Sequence, residues 1–480
     1  MDNYEKFISY VNDIVDKFKN LENLKEEPIK LISHRDADGI CSAAIASAAF
    51  KREDLKFSIS TVKQLTKKKL EELKTEDYKV YFFTDLGSGS IHFMKEILKD
   101  KTIFILDHHI IDKDILKENS DNIFVINPHL FDIDGSVEVS GSGVTYIFFK
   151  NLNEKNIDLA HLALIGALGD IQSNDCNGND EDKFSYLNQR ILEDAVSMKK
   201  IKVERGLRMF GAQTRAIHRL LEYSTDPFIP GITGSEENAT HLLNELGIPV
   251  KNSDNKFRRL CDLSEEEIKK LTTAIILKRM GSEKNPDDVL GDIYTLVDES
   301  EDSVTRNAKE FATLLNACSK MGKPSLGIGV CLNDTVSKEK ANLLLLDYKR
   351  EIIKALNWFY SKRKTEMVQE GEGYVLINAE DNLRDTMIGT LTSMVTKSNL
   401  YPTGTIIMTV GHTLEGCLKA SIRGIDTKKD LRKLVESISD KLPLKDAEFG
   451  GHGEAAGCIL SLEQEKDFLS TAIQVLKEAK

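Results

Sequence analysis

The sequence predicts an α/β protein with a doubly wound parallel-sheet domain, a helical insertion domain and a smaller mixed α/β domain at the carboxyl end. Three observations carry this reading. Short apolar runs alternate with helical stretches from about residue 28. The strand signal then fades after about residue 183, gives way to successive helical periodicities, and returns from about residue 372. A long helical stretch, "KEKANLLLLDYKREIIKALNWFYSKRK", precedes that return. The expected domains are therefore residues 1–183, a mainly helical 184–335, a connecting helix over 336–371, and 372–480.

The opening "MDNYEKFISYVNDIVDKFKN" is an amphipathic helix rich in acid and lysine, unlike a secretory signal. "PIKLIS", "FSISTV", "YKVYFFTDL", "KTIFILD" and "NIFVIN" read as buried strands. "KKKLEELKTE", "SIHFMKEILKD" and "LAHLALIGALGD" read as the helices between and after them. "SGSGVTY" reads as a turn before a helix rather than a phosphate cradle. In the middle region, "RGLRMFGAQTRAIHR" reads as a solvated amphipathic helix rather than a nucleic-acid groove. Strands return with "GYVLINA", "GTIIMTVGH" and "GCLKASIRG", followed by "FGGHGEAAGCILS". Trp358, Phe359 and Tyr360 sit at helical spacing and read as core.

At 480 residues, with 41% apolar and 30% charged content, the chain has the composition of a soluble globular protein. No uncharged apolar run reaches the ~18 residues of a membrane span. Seven dispersed cysteines without a CxxC pair suit reduced thiols in a cytoplasm. The net charge of −12 argues against broad non-specific nucleic-acid binding. It leaves room for a local site in which metal ions draw in a polyanion.

One stretch carries chemistry. In "LISHRDADGICSAAIASAAF", His34, Asp36 and Asp38 occupy alternate positions and converge at a strand end. An imidazole and two carboxylates so placed repel or desolvate one another unless a cation lies among them. Taken alone, such a DxD turn reads equally well as a solvated helix N-cap. Asp85 ends the third strand, and Asp107, His108 and His109 end the fourth. Asp170 closes an apolar helix. In an open α/β sheet, ligands gather beyond the carboxyl ends of the strands. His34, Asp36, Asp38, Asp85, His108 and Asp170 exceed the needs of a tetrahedral zinc and include no thiolate. They suit two octahedral divalent ions sharing a carboxylate, with Mn²⁺ preferred to Mg²⁺ because imidazole takes part. Two ions about 3.5–4 Å apart suit in-line attack at phosphorus.

"SHRDADG", "TDLG", "DHH" and "GALGD", in that order, resemble the four motifs of the DHH phosphoesterase superfamily. "KASIRG" and "GGHGEAAG" resemble its DHH-associated C-terminal domain. "NPHLFDIDGSVEVSGSGVTY" is similar to the segment after the DHH motif in archaeal RecJ-like, or GINS-associated, nucleases. The resemblance implies His34, Asp36 and Asp85 on one metal, and Asp38, Asp85, His108 and Asp170 on the other. Asp107 is then expected to orient a histidine ring, and His109 to face the substrate phosphate. Ser421, Arg423, Gly450, Gly451 and His452 are expected to grip a phosphate. The activity so implied is Mn²⁺-dependent hydrolysis of single-stranded DNA from the 5′ end, in replication or repair, with a GINS-type complex as a possible partner. Cleavage of RNA or short oligonucleotides from the 3′ end, or a non-catalytic replication scaffold, are the alternatives.

Overall fold

The computed structural model describes the chain apart from residues 1, 115–120, 174–183, 225–226, 281–284, 399, 428, 443–447, 453–454 and 479–480, and apart from the side chains of 439 and 448–452. Two compact units emerge, residues 1–342 and 343–480.

The first unit opens with α1 (Asn3–Lys19). Its start is closed reciprocally: the Glu5 N–H donates to Asp2 at 2.7 Å and the Asp2 N–H to Glu5 at 3.2 Å. There follow β1 (Ile29–His34), α2 (Ala37–Arg52), β2 (Phe57–Val62), α3 (Lys67–Lys74), β3 (Val80–Thr84), α4 (Ile91–Ile97), β4 (Thr102–Leu106), β5 (Ile123–Ile126), α5 (Gly141–Leu152) and α6 (Ala160–Gly169). The five strands are all parallel, in the order β2-β1-β3-β4-β5. This is the doubly wound sheet the sequence predicts. Its order reverses between β1 and β3, which opens a crevice beyond their carboxyl ends.

The pleat sends alternate residues to opposite faces. Tyr81, Phe83, Ile103 and Ile105 meet Leu70 and Leu73 of α3 and Ile91 and Met94 of α4. Phe82 and Phe104 point the other way and stack at 4.7 Å. Phe18 of α1, Phe50 of α2 and Phe148 and Phe149 of α5 close around them. α2 is built of small residues and is buried almost throughout its length, so it can approach α5 and α6 closely.

The middle region holds α7 (Tyr186–Ser197), β6 (Ile201–Leu207), α8 (Ile217–Glu222), α9 (Glu236–Glu245), α10 (Glu265–Arg279), β7 (Leu290–Leu296), α11 (Ala308–Lys320) and α12 (Pro324–Cys331). It has its own core, including Leu220, Leu243, Leu271 and Ile275. Two details differ from expectation. β6 and β7 form an antiparallel pair within a region that reads as helical, because tertiary pairing outweighs a weak local preference. Residues 205–219 do not form one helix: they run from the end of β6 through turns into α8. There the Arg215 guanidinium lies 5.3 Å from the Phe210 ring and 5.8 Å from Tyr223.

The division between the units falls within α13 (Thr335–Lys362). The second unit continues with β8 (Val368–Gly371), β9 (Tyr374–Asn378), α14 (Asp385–Thr396), β10 (Ile406–His412), β11 (Cys417–Gly424), α15 (Leu431–Lys441), β12 (Glu448–His452), β13 (Ala455–Ser461) and α16 (Glu465–Glu478). Its six-stranded sheet runs β12-β13-β11-β10-β9-β8 and is mixed, since only β9 and β10 pair in parallel. One face packs on α15 and α16. Phe359 is fully buried against the other face with Trp358 beside it, as the core reading expects, whereas Tyr360 is exposed. Among the described residues no helix is long and apolar enough to cross a membrane. Cys41, Cys261, Cys318, Cys331, Cys417 and Cys458 carry free thiols, and Cys176 lies outside the described residues.

Candidate metal centre

The crevice at the β1/β3 switch point receives side chains from four segments. His34 is the last residue of β1. The chain then turns into α2, where Asp36 accepts the Gly39 N–H at 3.0 Å as N-cap. Asp38, in the first turn, is completely buried. Asp85 follows β3 with a φ of 58°, a left-handed conformation that Asp tolerates better than most residues. Its N–H is fixed by the Leu106 carbonyl at 2.8 Å. His108 follows β4, and Asp170 is the C-cap of α6.

These six residues converge. His34 Nδ1 lies 3.0 Å from Asp36 Oδ2 and 3.4 Å from Asp85 Oδ2. His108 Nε2 lies 3.3 Å from Asp85 Oδ1, 3.4 Å from Asp170 Oδ2 and 4.0 Å from Asp38 Oδ2. The two oxygens of Asp85 thus face two different histidines. His34, Asp36 and Asp85 form one group of metal-ligating type, and Asp38, His108 and Asp170 another.

Neighbouring groups fix the donor atoms. His108 Nδ1 sits 2.6 Å from the Gly135 carbonyl, which places the ring proton there and turns the Nε2 lone pair toward the carboxylates. Gln172 donates to the same carbonyl at 2.9 Å, and Asn188 donates to Gln172 at 2.9 Å. The N-terminal end of α5 surrounds Asp38: Ser140 Oγ at 2.8 Å, the Gly141 N–H at 2.6 Å, the Ser142 N–H at 3.1 Å and the Ser142 hydroxyl. A Cβ on Gly141 would lie 2.5 Å from Asp85 Oδ1, so only glycine lets α5 come this close. The "SGSG" turn leads into a helix as expected, but its amides hold Asp38.

The electrostatics are those of a site built for positive charge. Burial pushes the Asp38 carboxyl up to about 7, and the Asp85 charge adds to it. Burial also raises Asp170 well above the carboxylate range, with Asp38 and Asp36 contributing. His34 is raised although burial opposes it, because Asp36 and Asp85 surround it. His34 Nδ1, Asp85 Oδ1 and His108 Nε2 are buried and make no hydrogen bond. Orphaned buried polar atoms are costly, and divalent cations would satisfy all three. The oxygen-rich set with imidazole nitrogen fits a divalent metal ion.

Asp107 does not point into this group. It accepts the Ser88 N–H at 2.9 Å, the His108 N–H at 2.8 Å and the His109 ring Nδ1–H at 2.7 Å. Burial works against its charge, but His109 and the other donors hold it well below the usual carboxylate range. Asp107 in turn raises the His109 pKa.

In the second unit, strand register aligns the expected phosphate-binding positions. Arg423 and His452 both pair with Ala455, and Ser421 and Gly450 both pair with Gly457. Gly451 pairs with Ala456. The backbones of Gly450, Gly451 and His452 lie in β12, but their side-chain positions fall outside the described residues. Burial lowers the Arg423 pKa.

The sequence from residue 28 to 167 matches the model of the DHH family N-terminal domain, and 372–478 that of the DHHA1 domain. The chain belongs to the DHH superfamily. Residues 209–290 of this DHH protein also match the DHH-CID domain. An uncharacterized protein of Methanocaldococcus jannaschii is 29% identical over 461 residues, covering 94% of this chain and 93% of its own. The fold is similar to that of CDC45 from Entamoeba histolytica, with a TM-score of 0.65 at 13% identity over 99% of both chains. It is also similar to RecJ from Thermus thermophilus, solved with Mn²⁺, with a TM-score of 0.58 at 14% identity over 98% of this chain. The DHH protein spans 54% of that RecJ.

Sequence reasoning missed the supporting groups Gly135, Ser140, Ser142, Gln172 and Asn188. It also missed Asn316 of α11, whose side chain accepts the Ala37 N–H at 3.2 Å within the turn that carries Asp36 and Asp38. Of these, only "SGSG" carried a local signal.

Proposed function

We propose that this DHH-superfamily phosphoesterase is a Mn²⁺-dependent exonuclease that hydrolyses single-stranded DNA stepwise from the 5′ end. The observation that supports it is the Asp85 carboxylate, whose two oxygens face separate histidine-containing groups as a bridge between two ions requires. His34, Asp36 and Asp85 would hold one ion, and Asp38, Asp85, His108 and Asp170 the other, with Mg²⁺ as a possible substitute. Ions held there would supply Lewis-acid chemistry for phosphodiester hydrolysis. Asp107 keeps the His109 proton on Nδ1 and the ring in place, and His109 meets the non-bridging phosphate oxygens. Ser421, Arg423, Gly450, Gly451 and His452 bind a substrate phosphate.

In this reading residues 1–183 are catalytic, 184–335 an insertion, 336–371 a connector and 372–480 the substrate-binding domain. A GINS-type replication complex as partner and a cytoplasmic location belong to it, supported by the motif resemblance and the dispersed cysteines. The intact ligand set favours catalysis over a scaffold of CDC45-like fold. End-labelled single strands of DNA and RNA, incubated with Mn²⁺ or chelator, test it. Mononucleotide released first from the 5′ end of DNA is expected. RNA-only or 3′-first products, or no cleavage, would refute it.

Metal affinity should depend on pH. With its carboxyl pushed up to about 7, Asp38 holds a proton below that pH, and an ion must displace it. Affinity for Mn²⁺ is therefore expected to fall at least about tenfold per unit as pH drops below about 7, and more steeply where Asp170, His34 and His108, whose pKa values are also raised, give up protons with it. Calorimetric titrations at pH 6, 7 and 8 should show proton release on binding at pH 6. Equal affinity at all three would contradict the assignment.

A further inference from the structure

α6 ends in a paired-bond cap: the Ile171 N–H donates to Leu168 at 3.3 Å and the Gln172 N–H to Ala167 at 2.9 Å. The residue after the C-cap Asp170 is then left-handed, the place where glycine is favoured. α9 and α11 end in the same way with Gly247 (φ 68°) and Gly322 (φ 72°). α6 instead places Ile171 there, with a φ of 59°. Every other non-glycine residue of positive φ among the described residues is Asn, Asp, Lys or Glu. A β-branched side chain fits this conformation worst. Ile171 gains no burial in exchange, being 71% exposed. Backbone strain that buries nothing points to a contact outside the fold.

The position says which contact. Ile171 follows Asp170, whose Oδ2 is 3.4 Å from His108 Nε2. Two residues beyond His108 stands Ile110, also 71% exposed. Two exposed isoleucines thus follow, by one and two residues, two candidate ligands that lie 3.4 Å apart. A phosphodiester seated on that centre carries a sugar and base on each side, whose apolar faces must lie near its rim. We propose that Ile171 and Ile110 form an apolar rim that packs against the nucleoside next to the scissile phosphate, a reading that rests on the nuclease assignment. Contact with a base face, rather than its hydrogen-bonding edge, leaves sequence unread, which suits a strand-degrading enzyme.

The test compares wild type, Ile171→Gly and Ile110→Ser in Mn²⁺. It measures melting temperature, KM on a single-stranded oligodeoxynucleotide, and turnover of methyl p-nitrophenyl phosphate, a diester without a base. Ile171→Gly is expected to melt roughly 1–3 °C higher, because strain is relieved, while its KM for the strand rises about tenfold. Ile110→Ser, at an ordinary φ, is expected to raise KM without changing melting. Both should turn over the small diester as wild type does. Unchanged KM in both variants of a strand-cutting enzyme, a lower melting temperature for Ile171→Gly, or equal loss on the small diester would each overturn the rim. A wild type that cuts neither substrate would overturn the nuclease reading itself, and the rim with it.

Discussion

Replacing Asp85 by alanine should lower metal-dependent strand cleavage by roughly 10³-fold or more, since charge stabilisation at phosphorus is the largest contribution such a site makes. The side chain is 1% exposed and stands between His34 and His108 through different oxygens. Its removal therefore weakens both groups at once. Asp170→Ala, by contrast, touches only the His108 side. Asp85→Ala is expected to bind at most one Mn²⁺, and Asp170→Ala to keep one tight site. Asp85→Asn separates charge from shape: it fills the same space, so activity lost in it reflects the missing negative charge. Paramagnetic counting of bound Mn²⁺ beside a turnover assay checks this. Two ions retained in Asp85→Ala, or activity within tenfold of wild type, would remove Asp85 from the bridging role.

Phe82→Ala should destabilise the first unit by about 3–5 kcal/mol. Its ring stacks on Phe104 at 4.7 Å and lies 5.2 Å from both Phe18 and Phe50. All four rings are essentially inaccessible. The loss combines a large cavity with broken edge-to-face pairs, each contributing about 0.5–1.5 kcal/mol beyond area burial. Phe82 also sits in β3, three residues before Asp85, so a slackened strand would loosen the centre. Denaturant unfolding followed by near-ultraviolet dichroism measures the change. A loss under about 1 kcal/mol would mean that this face of the sheet relaxes around the gap.

The parts of this molecule most legible in the sequence are those whose signal is local. The apolar strand runs, the alternation of His34, Asp36 and Asp38, and the acids at strand ends all follow from backbone periodicity. That periodicity anticipates the sheet and most of the converging side chains, whereas Asp170, at a helix end, is placed chiefly by the motif resemblance. β6 and β7 were not legible, because "KVERG" alternates too weakly and its partner strand begins about 80 residues away. The groups that orient the donors were hidden for a similar reason. Asn316 and Ala37 are 279 residues apart, and Ser140 and Asp38 are 102 apart. Nothing in Gln172 or Asn188 alone marks either as a support for His108. Only folding brings Gln172 to the Gly135 carbonyl and Asn188 to Gln172.

Crystals grown with Mn²⁺ and measured on both sides of its absorption edge test the proposed two-ion site most directly. Two anomalous peaks about 3.5–4 Å apart are expected, with Asp85 between them and His34 and His108 on opposite sides. A single peak, a peak elsewhere on the chain, or Asp85 touching no metal would contradict it.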